Sequence, residues 1–280
     1  LFSADELPTG AASTLMSIPF YVEKGMFQPD YIQVAFASES DPAEITLSKA
    51  SGEEIQKVAL KALTYARHQT FSMLRPVSGP GFLQLPGEGA YRLSLRVRGE
   101  EAGRLDFSAK VEKTGDQFSP KTYWRLSGPW TKYGMLSRRP DRELEPMRLW
   151  FWGDCAEFGG KTAPITVSLS HAGKEIAVGN GHLEVNRQGW NRYYTDLRVD
   201  RNNMFYIKDL LAKSGATTIK VMAAGKPYRT FKVDVSGGSI KVPGESSTSF
   251  KPNYAQLLPR VIDPNDRSFN MLETYWLKAQ

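Results

Sequence analysis

The sequence contains only one cysteine, Cys155, among its 280 residues. A single thiol can form neither an internal disulfide nor a multi-cysteine metal cluster, so the chain is not a disulfide-rich secreted scaffold. No histidine is close to Cys155 in the sequence, and we interpret it as a buried, inert thiol rather than a nucleophile.

Motifs for cofactors and for common catalytic machinery are missing as well. The sequence has no Gly-x-Ser-x-Gly elbow, no phosphate-binding loop and no dinucleotide fingerprint. Its three histidines, His68, His171 and His182, are far apart, and none lies in a metal-binding motif. We therefore expect no cofactor and no metal ion.

Long apolar runs and strong charge are also absent. No run approaches the roughly 18 apolar residues that cross a bilayer, so we expect no transmembrane segment. The net charge of +6 is spread along the chain, and the densest basic group is diluted by acidic residues. Such mixed charge is typical of solvated loops, and we expect no nucleic-acid partner. The basic residues are Lys132, Arg138, Arg139, Arg142 and Arg148, and the acidic ones are Asp141, Glu143 and Glu145.

No Asn-x-Ser/Thr glycosylation acceptor occurs, and no basic stretch followed by an apolar one opens the sequence. We expect that any targeting peptide has been removed or lies outside the sequence. The single cysteine fits a bacterial periplasm or a cytosol about equally well, and the missing acceptor favours a bacterial source. We expect a periplasmic or secreted bacterial protein.

The sequence does contain many short runs in which apolar and polar residues alternate, punctuated by 24 glycines and 17 prolines. Two of these stretches recur about 120 residues later, a period that indicates an internal repeat. Residues 44–55 resemble residues 164–176, and residues 89–111 resemble residues 215–235. We therefore predict an all-β fold of two tandem antiparallel β-sandwich domains, immunoglobulin-like or jelly-roll, rather than a parallel α/β sheet.

The predicted organisation is a loosely held lead-in over residues 1–14, a first sandwich over 15–118, a second over 119–242 and a C-terminal tail over 243–280. The boundary is placed in the polar, glycine-containing stretch before Pro120. The tail carries too much apolar surface for a free linker. We expect it to pack back on a domain; the alternative is an oligomer in which it joins a neighbouring subunit by strand addition.

Two segments have a helical pattern. Residues 204–213 predict a short helix, with Gly215 suited to a left-handed position at its end. Residues 53–67 are ambiguous, because their apolar spacing is helical while their similarity to residues 164–176 predicts that at least their beginning is the return strand of a hairpin.

The segment from Met147 to Cys155 reads Met-Arg-Leu-Trp-Phe-Trp-Gly-Asp-Cys and would be apolar on both faces as a strand. Arg148, Trp150 and Trp152 would share one face, and the residues between them the other. Such a strand is either covered on both faces or presents aromatic surface to a partner or ligand.

Five of the six tryptophans lie in the predicted second domain. Residues 188–194, Gln-Gly-Trp-Asn-Arg-Tyr-Tyr, follow the hairpin that contains Ile165-Thr-Val-Ser-Leu169. They resemble the Trp-x-x-Tyr strand of jelly-roll carbohydrate-binding modules, a likeness confined to the second half of the chain. The resemblance implies recognition of carbohydrate by aromatic rings that stack on sugars.

We therefore expect a non-catalytic extracytoplasmic protein whose second domain binds a polysaccharide or a protein surface through exposed aromatics. The candidate ligand-binding residues are Trp130, Tyr133, Arg148, Trp150, Trp152, Asp154, Trp190, Asn191 and Tyr193.

Two alternatives remain open. If the aromatic rings fill the core and the seam between domains, the protein is a structural or assembly module of a multi-protein complex at the cell envelope. If Asp154 and Glu157 act as acid and base, it is a carbohydrate-active hydrolase, whose two carboxyl groups must lie roughly 5 to 9.5 Å apart. Loop hydrogen bonds, or pairing with Arg148, are the other roles open to these carboxylates.

Overall fold

The computed structural model describes residues 10–12, 15–29, 32–35, 40–64, 71–113, 118, 122–138, 146–184, 190–241, 255–261 and 273–280. The predicted all-β fold is confirmed, because strands dominate these residues and the one α-helix is a short one.

Strands are numbered in chain order. The first group is β1 (Gly10–Ala12), β2 (Leu15–Tyr21), β3 (Met26–Phe27), β4 (Ile32–Ala35), β5 (Ala43–Lys49), β6 (Glu54–Thr64), β7 (Phe71–Pro76), β8 (Leu83–Gln84), β9 (Gly89–Val97), β10 (Glu100–Lys113) and β11 (Thr122–Ser127). The second group is β12 (Tyr133–Arg138), β13 (Arg148–Gly153), β14 (Ala163–His171), β15 (Lys174–Leu183), β16 (Asn191–Asp196), β17 (Gly215–Ala223), β18 (Lys226–Ser236), β19 (Ser239–Lys241), β20 (Ala255–Val261) and β21 (Glu273–Lys278). Helix α1 (Ile207–Leu211) and two 3₁₀ helices, Pro129–Lys132 and Cys155–Phe158, complete the described elements.

The chain divides into two compact units. The first unit comprises Ser13–Pro129 and Phe250–Phe269, and the second comprises Leu1–Ala12, Trp130–Ser249 and Asn270–Gln280. The tail packs back, as expected, and it contributes to both units: β20 pairs with β2 and β10, whereas β21 pairs with β1 and β12. The expected loose lead-in is also partly ordered, because Gly10–Ala12 forms the edge strand beside β21.

The first unit contains an 11-stranded sheet in the order β4-β7-β6-β5-β9-β10-β20-β2-β3-β8, with β11 also paired to β10. The sequence analysis assigned residues 122–127 to the second domain, whereas β11 pairs with β10 in the first unit. The rings of Phe27 on β3 and Phe107 on β10 lie 5.3 Å apart, so the sheet folds back over its own core. Strand β20 is parallel to both of its neighbours, unlike the antiparallel pairs predicted.

The second unit is a sandwich of two five-stranded sheets, β1-β21-β12-β13-β16 and β15-β14-β17-β18-β19. Phe151 and Leu277 from the first sheet and Val221 and Phe231 from the second belong to one buried cluster. Full burial of each such side chain contributes about 1.5 to 3 kcal/mol. This core fixes which residues of β13 and β16 face inward and which face away from it.

The two segments that resemble each other in sequence have the same strand order, β6-β5-β9-β10 in the first unit and β15-β14-β17-β18 in the second. Their register shifts also correspond, between Leu47 and Ser48 in β5 and between Leu169 and Ser170 in β14. The similarity noticed in the sequence therefore reflects a similar local arrangement of four strands.

The ambiguous segment, residues 53–67, is a strand over its described part, β6. Leu60 and Ala62 are buried at alternate positions, and pairing with β5 and β7 outweighs the helical spacing. The predicted helix over residues 204–213 is present but shorter, since α1 ends at Ala212 and Gly215, with φ of 115°, instead begins β17.

Candidate functional site

Strand β13 is covered on both faces over most of its length. Leu149 and Phe151 belong to the sandwich core, and Trp150 and Trp152, on the opposite face, are also buried. Of the two interpretations that the sequence left open, coverage on both faces describes this strand. Arg148 at its beginning is the half-buried exception.

The structure differs from the expected platform of exposed aromatic rings. Five of the candidate rings are buried: Trp130, Tyr133, Trp150, Trp152 and Tyr193. A ring stacks on a sugar only where one of its faces is open to solvent, so these five cannot act in the way that the sequence analysis expected. Trp190 is half-buried, and Asn191 begins β16 opposite Gly153, with its side chain outside the described residues.

Among the described side chains of the second unit, one aromatic ring is well exposed, that of Tyr194, at 54%. The residue predicted from the sequence to bind the ligand was its neighbour Tyr193, whose ring lies in the core cluster. Consecutive strand residues face opposite sides, so the choice between the two tyrosines depends on the phase of β16. Pairing of Trp150 with Tyr194 and of Phe151 with Tyr193 sets that phase.

Four side chains form what we call the Tyr194 patch: Arg148, Trp150, Tyr194 and Asp196. The Arg148 guanidinium carbon lies 4.8 Å from the Tyr194 ring centroid, and the Trp150 and Tyr194 rings are also 4.8 Å apart. Arg148 Nε donates to Asp196 Oδ1 over 2.5 Å. Stacking and ion pairing together hold the guanidinium in one plane, beside an exposed ring on the edge strand β16.

Asp154 has a structural role at the other end of β13. It is almost fully buried, and its Oδ1 accepts a 2.9 Å hydrogen bond from the backbone N–H of Ala156. This contact caps the 3₁₀ helix Cys155–Phe158. A loop hydrogen bond was one of the roles foreseen for Asp154, whereas Arg148 pairs with Asp196 instead.

Glu157 belongs to a second group, the Glu157 cluster, which also contains Trp190, Tyr228 and Arg229. The Tyr228 hydroxyl donates to Glu157 Oε2, and Arg229 Nη2 lies 3.9 Å from Glu157 Oε1. The Arg229 guanidinium carbon is 4.0 Å from the Tyr228 ring centroid and 5.9 Å from that of Trp190. Burial, followed by the bond to Glu157, raises the pKa of Tyr228.

These contacts give each of the two carboxylates a structural role. Glu157 ties the 3₁₀ helix to β18 through Tyr228, and Asp154 shapes the start of the same helix. The cluster could not be predicted from the sequence, because Tyr228 and Arg229 lie more than seventy positions along the chain from Glu157.

Cys155, which follows Asp154 in the chain, is buried, in keeping with its interpretation as an inert thiol. Burial raises its pKa, and the nearby charges of Asp154 and Glu184 raise it further. A raised pKa keeps the sulfur protonated at neutral pH, which disfavours nucleophilic attack.

Within the described ranges, no helix is long and apolar enough to cross a membrane. The same residues contain no group of three or more His, Cys, Asp or Glu side chains arranged to hold a metal ion.

Comparisons with protein-family models, with curated proteins and with solved structures found no match to this chain. The resemblance to jelly-roll carbohydrate-binding modules therefore remains a prediction made from the sequence.

Proposed function

We propose that the protein is a non-catalytic binding protein of the bacterial periplasm or cell exterior, and that its second unit recognises carbohydrate through the Tyr194 patch. The observation that carries this proposal is the exposed ring of Tyr194, which lies beside the buried ring of Trp150 on the same face of the sheet.

The patch has the chemistry that a sugar requires. The ring of Tyr194 offers an apolar surface to the C–H groups of a pyranose. Arg148 supplies N–H donors and Asp196 supplies carboxylate acceptors, and their mutual bond fixes both. A sugar hydroxyl both donates and accepts, so a paired cation and anion beside a ring can orient it.

The test is binding of the full chain to a printed array of bacterial cell-wall oligosaccharides, followed by calorimetry with the tightest ligand. Tyr194→Ala is expected to weaken binding about tenfold, because it removes the stacking surface. Tyr194→Phe keeps the ring and is expected to bind within about twofold of the wild type.

The matched control is Val199→Ala, because Val199 is also 54% exposed in the second unit but lies outside the patch. It should leave affinity unchanged. Tyr194→Phe and Val199→Ala should unfold thermally like the wild type. Tyr194→Ala should be less stable by about 0.5 to 1.5 kcal/mol, because it loses the contact with Trp150, but should remain folded. The proposal fails if the wild type binds no glycan, or if Tyr194→Ala binds as tightly as Val199→Ala.

A further inference from the structure

The first unit carries a group of charged side chains that the Tyr194 patch does not explain. Arg92 on β9 and Arg104 on β10 both bond to Asp106, and we call these residues the Arg–Asp–Arg triad. Arg92 Nε lies 2.6 Å from Asp106 Oδ1, and Arg104 Nε lies 3.0 Å from Asp106 Oδ2. One carboxylate thus orients two guanidinium groups.

Strand register places the triad on the face opposite the buried core of its sheet. Asp106 pairs with Arg92, and Arg104 pairs with Ser94. Leu93 and Leu105, which lie between these positions, are buried. The arginine side chains keep 32% and 27% of their surface exposed, so a ligand can reach them.

The internal repeat shows that this strand arrangement does not need the triad. In the second unit, β17 and β18 pair in the same register, with Thr218 opposite Lys232 and Lys220 opposite Thr230. Threonine and lysine therefore occupy the positions that correspond to Arg92, Asp106, Ser94 and Arg104. The hairpin forms there without an ion pair, so the triad is a feature of the first unit alone.

Stability is a weak reason to keep such a triad. Ion pairs that remain partly exposed contribute about 0 to 1 kcal/mol, and drawing the charges together out of water offsets part of that gain. Two guanidinium groups held in fixed planes are instead suited to an oxyanion, because each can donate two parallel N–H bonds to it. Arg92, Arg104 and Asp106 together carry one net positive charge.

We propose that the Arg–Asp–Arg triad is a second binding site, which takes a carboxylate or sulfate group of an acidic polysaccharide. Thr46 and Ser94, aligned with Arg104 across three strands, add hydroxyl groups beside the two guanidiniums. The site lies in a different unit from the Tyr194 patch. Only the choice of a polysaccharide as the carrier of the anion rests on the proposed function.

The experiment measures binding of the full chain to polygalacturonate, to dextran sulfate and to neutral dextran, the first two distinguishing carboxylate from sulfate. The double variant Arg92→Lys/Arg104→Lys keeps the charge but loses the forked geometry. It is expected to bind the preferred acidic polymer about tenfold more weakly than the wild type. Lys220→Arg/Lys232→Arg, at the positions of β17 and β18 that correspond to Ser94 and Asp106, also keeps the charge. It is the control and should bind as the wild type does.

Asp106→Asn separates an organised site from general charge attraction. The substitution adds one positive charge, so general attraction would tighten binding, whereas loss of the carboxylate that orients both arginines should weaken it about fivefold. If this variant fails to fold, the double lysine variant decides alone. Any of three results overturns the proposal. The double lysine variant binds as tightly as the wild type, Asp106→Asn binds more tightly, or the wild type binds neither acidic polymer. Tyr194→Ala should retain triad binding, so failure of one site can be told from failure of the other.

Discussion

At the scale of single residues, Tyr228 is a half-buried phenol that its surroundings hold in the neutral form. Its hydroxyl is directed at Glu157, its ring packs at 5.2 Å from that of Phe158, and the pKa of Tyr228 is raised by burial first and by Glu157 second. The unfolded chain has no such environment, so its tyrosines titrate near pH 10. Folding therefore favours the neutral phenol, and this contribution to stability is complete below about pH 10 and is lost as the pH rises further.

Tyr228→Phe should lower the free energy of unfolding by about 1 kcal/mol at neutral pH, because a hydrogen bond to a partly exposed carboxylate is lost. The wild type loses stability above about pH 10 because the Tyr228 phenol of the unfolded chain ionises, whereas the variant has no ionisable group at position 228. The difference between the two proteins should consequently shrink as the pH rises. Urea unfolding of both proteins at neutral pH and near pH 11 measures it.

Glu157→Gln serves as the companion variant, since its amide oxygen can still accept the Tyr228 hydroxyl. It should retain more stability at neutral pH than Tyr228→Phe. A stability difference that stays constant across the alkaline range would show that Tyr228 does not titrate with folding.

Single residues also show what the sequence alone cannot predict. Alternation predicts that neighbouring residues of β16 face opposite sides, but both Tyr193 and Tyr194 are aromatic and cannot reveal which is inside. Strand β13 has a related ambiguity. Its Trp150–Trp152 face and its Leu149–Phe151 face are both apolar, so the sequence does not show which one faces the core. Burial depends on what lies against each face, and only the assembled sheets decide it.

At the scale of elements, the hairpins were the best-predicted feature, since glycine marks their turns. Three of the two-residue loops pair a non-glycine residue with a following glycine: Arg98-Gly99, Ala172-Gly173 and Ala224-Gly225. All six residues have positive φ, between 48° and 79°. This geometry matches the right-handed twist of the flanking strands, but a residue with a Cβ adopts it reluctantly. The glycines could be predicted, and the strained residue before each could not.

Replacing Ala172 or Ala224 by Asn should stabilise the protein by about 0.5 to 1 kcal/mol each, because Asn tolerates the left-handed region and Asn-Gly is the preferred pair in such loops. Ala50→Asn is the control. It lies in the longer β5–β6 connection and does not have positive φ, so no gain is expected there. Urea midpoints of the three variants test the idea, which is wrong if the two loop variants gain no more than the control.

At the scale of the whole molecule, the all-β class and the returning tail followed from composition and apolar content, whereas the route of the chain did not. Nothing local in residues 243–280 reveals that β20 belongs to one unit and β21 to the other. Pairings between residues this far apart in sequence depend on edges that other strands leave open. For β21 the available edge is that of β12, and β1 then covers its other side.

This route predicts which piece of the chain can fold alone. Residues 119–242, the second domain predicted from the sequence, include β11 but lack β1 and β21. This piece loses Leu277 from the core, and β12 keeps its pairing with β13 but loses its partner on the other edge. A rearranged chain that joins residues 130–249, 270–280 and 1–12 by flexible linkers retains every strand of the second unit. It should unfold cooperatively in urea with a defined near-ultraviolet circular dichroism spectrum, whereas residues 119–242 should show neither. Equal cooperativity in the two chains would mean that β1 and β21 are dispensable, and that the second unit is complete without the ends of the sequence.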